Sequence, residues 1–189
     1  MNSPAINVSR SEVIPGWMTL HELEWLALQA SRSYMIVELG CWKGRSTAAL
    51  VDHTPGTVYT IDSFEGGIST EDIVRIEVES RGKDTIRNEF RSSFVSELME
   101  NRLKLVEMDT VSGCEYLLHT VGPCFDLVFI DGEHSYEQVR ADIQASRRLL
   151  KPGGLLSGHD FWMDGVFRAV TETFEDYQRE VDNIWSVRV

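Results

Sequence analysis

Two hydrophobic patterns alternate along this chain. Short apolar runs with little polar interruption occupy residues 34–37, 57–61, 103–108, 125–130 and 155–157. Such runs suit strands covered on both faces, as in a parallel sheet. Between them, apolar residues return every three or four positions, the period of a helix with one buried face. Leu20, Leu23, Leu26, Ala27 and Ala30 share one face, behind a capping box formed by Thr19 and Glu22. A second helix starts at Arg45-Ser46-Thr47 and runs out near Pro55-Gly56. Ile86, Phe90, Phe94 and Leu98 step by four through another, and a short one ends near His119, capped by Ser112 or Thr110. Tyr136, Val139, Ile143 and Leu150 form a further stripe, ended sharply by Lys151-Pro152-Gly153-Gly154. Val166, Val170 and Phe174 mark the last helix, and residues 179–181 and 184–189 read as a closing hairpin. This alternation predicts an α/β fold: a doubly wound, Rossmann-like, seven-stranded, mostly parallel sheet with helices on both faces and a C-terminal antiparallel hairpin.

At 189 residues the chain reads as one domain, residues 1–189, with a core that needs no staples. Residues 1–14 are polar and read as a flexible arm. Residues 64–84 carry Gly66, Gly67 and Gly82, are long for a strand-to-helix connection, and read as an inserted flap over the site with a short helix around 73–76. The alternative is a solvated loop. Eighteen basic residues against thirty acidic ones give a net charge of −12, which argues against nucleic acid and anionic membranes as partners. Three cysteines without paired spacing, no long apolar segment and no signal-like start fit a reduced, cytoplasmic setting.

The chemistry gathers at strand ends. The first strand closes on Glu38 and enters a turn with Gly40 and Gly44, followed by a helix start. Glycines let a backbone approach a ligand, and helix N–H groups face whatever fills the turn. A dinucleotide site requires G-x-G-x-x-G, and Trp42 breaks that pattern. An indole there obstructs a pyrophosphate but can line the pocket of a smaller nucleoside ligand. The competing reading is an ordinary turn of a flavodoxin-like protein. Asp62 ends the second strand, where a carboxylate can accept both hydroxyls of a ribose; the competing role is a turn cap. Asp109, Asp131, His134, His159 and Asp160 follow later strands, so acids and imidazoles collect on one rim. For Asp109 a capping role competes evenly with ligand binding.

The loop ELGCWKGRST, the segment IDSFEGG and the stretch from Phe125 to Phe161, FDLVFIDGEHSYEQVRADIQASRRLLKPGGLLSGHDF, resemble class I S-adenosylmethionine-dependent methyltransferases. Within that class they are similar to methyltransferase family 24 and the macrocin-type macrolide-sugar O-methyltransferases. The resemblance implies S-adenosylmethionine as cofactor and a small-molecule hydroxyl as acceptor. It implies that Glu38, Gly40, Cys41, Trp42, Gly44 and Ser46 hold the methionine part. Asp62 would take the ribose, Ser63 and Phe64 flank the adenosine, and Asp109 and Thr110 lie by the adenine. Asp131 would stand beside the reacting groups, with His134 as general base.

In metal-dependent relatives the positions of Asp131, His159 and Asp160 bind Mg²⁺. Here a histidine replaces an acid at 159. Imidazole is a poor ligand for that hard ion and suits a softer transition metal. The alternative is that His159 and Asp160 bond each other or the cofactor with no metal. A hydroxylase of a natural-product pathway on the same fold, and a cofactor-binding protein without activity, are the competing functions. The acceptor is unreadable, and the arm, an edge at Trp185 and exposed aromatics are compatible with a homodimer.

Overall fold

The computed structural model describes residues 6–67 and 73–189. Strands β1 (Met35–Leu39), β2 (Thr57–Ile61), β3 (Leu103–Val106), β4 (Phe125–Ile130) and β5 (Leu150–Gly158) pair in parallel. β6 (Gln178–Arg179) and β7 (Trp185–Arg188) form the closing antiparallel pair, giving the order β3-β2-β1-β4-β5-β7-β6. The expected sheet is present.

Successive side chains of a strand face opposite sides. Ile36 therefore enters a core layer with Leu23 and Leu26 of α2 (Leu20–Ala30) and Ala48 of α3 (Arg45–His53). Val37 and Leu39 enter the layer beneath α7 (Thr110–Thr120), α8 (Tyr136–Ser146) and α9 (Asp164–Thr173). Both faces are dry, so the strand has no polar alternation. Each large apolar side chain so buried contributes about 1.5–3 kcal/mol. Strand order reverses between β1 and β4, and their carboxyl ends open the crevice where ligands of such sheets bind.

Five local expectations change. The arm is a packed segment where described: Arg10 of α1 (Ser9–Val13) reaches Asp52 at 2.7 Å and Glu97 at 2.6 Å, while residues 1–5 lie outside the described residues. Residues 68–72 of the expected flap also lie outside them, and the remainder includes a longer helix than expected, α4 (Ile73–Arg81). The helix through Ile86 and Phe90 breaks at Phe94 into α5 (Lys83–Ser93) and α6 (Val95–Met99). Residues 151–154 do not precede β5 but lie within it, where a register shift against β4 absorbs the Pro-Gly-Gly run. Trp185, read as edge surface, is fully buried, its ring lying against Gly158. Among the described residues no helix is long and apolar enough to cross a membrane.

Candidate active site

A cavity of about 760 Å³ opens at the carboxyl ends of β1, β2, β4 and β5. One wall is the turn after β1. Gly40 has φ +83°, and a Cβ there would strike the Asp131 carbonyl, so only glycine lets this turn approach the end of β4. Trp42 holds a left-handed φ of +44°, and its ring stacks on Trp17 at 4.6 Å. Asp62 clamps the turn: Oδ2 accepts the N–H groups of Cys41 and Trp42 at 2.8 and 2.9 Å, and Oδ1 accepts that of Phe64 at 2.7 Å. The cap and the cavity-facing roles weighed for Asp62 thus coexist, since it also lines the cavity.

Two residues assigned to this wall lie behind it. Glu38 is wholly buried, with Oε1 accepting the Ser46 hydroxyl and Oε2 the Thr47 hydroxyl, each at 2.6 Å. Burial pushes its carboxyl up to about 7, against the pull of those hydroxyls. Glu38 is a latch between β1 and α3 and does not reach the cavity. Gly44, φ +96°, makes room for the rings of Phe94 and Phe90 rather than for a ligand. The Cys41 thiol lines the cavity but is pushed well above its usual range by burial and by Asp62, so it stays protonated.

At the opposite rim, Asp160 is the hub. Its Oδ2 lies 2.9 Å from His134 Nε2 and 3.3 Å from His159 Nδ1, and its Oδ1 accepts the Trp162 indole N–H at 3.0 Å. Burial alone would raise its pKa, but the two imidazoles hold it well below the usual carboxylate range. His159 is buried among three acids: Nε2 lies 3.1 Å from Glu22 Oε1, and Nδ1 3.5 Å from Asp131 Oδ1. Burial disfavours the imidazolium, yet Asp131, Asp160 and Glu22 outweigh it and push the pKa up to about 12.

Glu22 is the residue that sequence reasoning missed. Its place in the capping box was evident, and Oε2 does accept the Thr19 N–H at 2.7 Å. Its second oxygen instead accepts the Asn183 N–H at 3.0 Å and faces His159. Nothing local in the sequence signals that a cap glutamate is wholly buried beneath the fifth strand's end.

Two of the three residues expected as metal ligands, Asp131 and Asp160, come together with His134. Among the described residues, the donors that come within 4.8 Å of one another belong to Asp131, His134 and Asp160, not to His159. An imidazolium has no lone pair to offer a metal. It also stands between Asp131 and Asp160, so the cluster already contains its own cation.

At the other end of the cavity, Asp109 is exposed and caps α7, its Oδ1 accepting the Ser112 N–H at 2.9 Å. Hydrogen bonds from Ser112 lower its pKa. Beside it, Thr110 donates to the wholly buried Asp142 at 2.5 Å. Gln138 directs its amide N–H groups inward, to Asp142 at 2.9 Å and to the Thr110 hydroxyl at 3.1 Å. Gln138 also lines the cavity wall. Neither Gln138 nor Asp142 was singled out from sequence, where both read as polar positions of an amphipathic helix. Ile73, Val74 and Val78 of α4 also line the cavity, and the Lys43 ammonium ties that helix to the β1 turn through Glu77 at 2.7 Å.

Comparisons with known proteins agree with this fold. A family model described as a methyltransferase domain matches residues 37–161. The fold is similar to that of the calicheamicin methyltransferase CalS11, with a TM-score of 0.68 and 18% identity, covering 89% of this chain and 77% of that one. It is similar to an O-methyltransferase from Bacillus cereus in complex with S-adenosylhomocysteine, with a TM-score of 0.68, 15% identity and coverage of 96% and 87%. A methyltransferase from Podospora anserina, also bound to S-adenosylhomocysteine, has a TM-score of 0.65 at 15% identity over 91% and 79%. No curated protein sequence matches the chain.

Proposed function

The chain belongs to the methyltransferase domain family, and on that premise we propose that it transfers the methyl group of S-adenosylmethionine to a hydroxyl of a small molecule. One observation carries the reading. A clamped acid at the end of β2 and an acid–imidazole pair after β4 and β5 face the same cavity. The residues suit the cofactor: Asp62 for the ribose, Gln138 for a ring amine, and an acidic wall for a cation. When bound, S-adenosylmethionine supplies a sulfonium whose methyl group is the electrophile.

The chain's own residues do the remainder. The turn around Gly40 and the Asp62 clamp fix the cofactor's place, and holding two reactants in line supplies up to roughly ten kcal/mol. A hydroxyl is a weak nucleophile until it loses its proton. His134 takes that proton, with Asp160 2.9 Å away to stabilise the charged ring. His159 keeps Asp160 ionised without presenting an acidic proton to the acceptor.

Calorimetry tests the cofactor half. S-adenosylhomocysteine is expected to bind in the micromolar range, and Asp62→Ala to abolish that binding. Absence of binding by either form of the cofactor, with NAD bound instead, would refute the proposal. His134→Gln is expected to retain the cofactor and lose about 10²–10⁴-fold in turnover.

A further inference from the structure

We infer that the acceptor is a flat aromatic hydroxyl compound bearing no phosphate or carboxylate; the inference rests on the methyl-transfer reading and names its substrate class. The first ground is charge. Asp62, Asp109, Asp131, Glu133 and Asp160 line the cavity against a single guanidinium, Arg45. That guanidinium is spent on backbone, donating to the carbonyls of Met18, Ser11, Glu12 and Ile14 at 2.8 to 3.3 Å. The imidazolium of His159 is already enclosed by Glu22, Asp131 and Asp160. Lys83 and Arg87 line a separate recess outside Ser63 and Phe64, paired with Glu65 and Glu107. The undescribed residues 68–72, Ile-Ser-Thr-Glu-Asp, add no basic side chain. Beyond the cofactor's own carboxylate, which its ammonium accompanies, a further phosphate or carboxylate taken from water into this cavity would meet five carboxylates against one guanidinium already bonded to four carbonyls.

The second ground is shape and surface. Three tryptophans, Trp17, Trp42 and Trp162, line the cavity, with Met18 and Met163 beside them. Trp17 stays 57% exposed although stacked on Trp42, and Trp162 is 66% exposed. Large indoles left this open at a cavity wall have aromatic surface to cover, and stacked or edge-on rings add about 0.5–1.5 kcal/mol beyond the area they bury. Trp162 is also pinned. Its N–H donates to Asp160 Oδ1 at 3.0 Å, while Asp160 Oδ2 lies 2.9 Å from His134. A ring lying along Trp162 therefore brings its hydroxyl to the imidazole that takes the proton. A planar aromatic ring covers such a wall more completely than a puckered sugar ring does.

The test uses the intact protein saturated with S-adenosylhomocysteine and titrated by calorimetry with three probes: 2-naphthol, 2-naphthyl phosphate and methyl α-rhamnoside. The expected result is that naphthol binds, the phosphate binds at least tenfold more weakly, and the glycoside does not bind. Trp162→Ala and Trp17→Ala should each weaken naphthol at least fivefold while leaving S-adenosylhomocysteine affinity unchanged, which also shows that the variants fold. Equal or tighter binding of the phosphate, preference for the glycoside, no uptake of naphthol, or indifference to both tryptophan variants would overturn the inference. A protein that takes naphthol but not S-adenosylhomocysteine would instead overturn methyl transfer and leave the aromatic subsite standing.

Discussion

His159 is held by three carboxylates, so its removal is felt by each of them. Glu22 is wholly buried, and a buried charge stripped of its partner typically costs about 3–5 kcal/mol. His159→Gln is expected to lose stability of that order by urea unfolding, and the double variant with Glu22→Gln to recover part of it. Additive losses in the double variant would show that the two do not interact. Glu38 makes a different prediction because it is buried without a cation. Its pKa of about 7 lies above the unfolded value, so the folded protein keeps a proton that the unfolded chain releases from about pH 4 upward. Its contribution to stability is complete below that pH and is lost as pH rises through 7. Glu38→Gln keeps contacts to Ser46 and Thr47 and removes the titration. It should gain on the wild type by roughly 3 kcal/mol between pH 4 and pH 8; a pH-independent difference between the two melting curves would contradict this.

At the scale of elements, the turn between β1 and α3 couples the sheet, a helix and the cavity. Gly44 combines a φ of +96° with the Phe94 ring where a Cβ would stand, whereas Gly122, φ +91°, has open space around it. Both substitutions to alanine incur backbone strain of about 1 kcal/mol, but only Gly44→Ala must also displace a fully buried ring. Gly44→Ala should therefore lower stability by about 2–4 kcal/mol and Gly122→Ala by about 1, measured by chemical denaturation. Equal losses would argue against the packing role. Phe94 also explains why the helix expected through Ile86 and Phe90 breaks there. The four-residue step was legible, and all three rings or chains are buried as it implied. The break was not, because residue 94 leaves helical geometry, with φ −129°, while its ring fills the space that Gly44 vacates fifty positions earlier in the chain.

For the whole molecule, the balance of charge is the property with consequences. A net charge of −12 and an acidic cavity favour a cationic cofactor. The fold places one cation of its own there, His159 held by Asp131, Asp160 and a glutamate from the second helix. Prolonged treatment with a strong chelator is expected to leave both S-adenosylhomocysteine binding and turnover unchanged, with metal analysis of the protein as the check. Activity lost on chelation and restored by one divalent ion would overturn that expectation. By itself, the sequence determined the strand and helix succession, the switch point at the β1 turn and the rim to which Asp62, Asp131, His134 and Asp160 belong. These are set by local periodicity and by which residues end each strand. Only the tertiary structure decided that Glu38 and Gly44 face inward, that Asp109 is a cap, that Gln138 reaches the cavity and that Glu22 charges His159. Each of those depends on which side chain from a distant element fills the adjoining space, and on how completely it excludes water, and neither quantity is encoded in the spacing of residues along one segment.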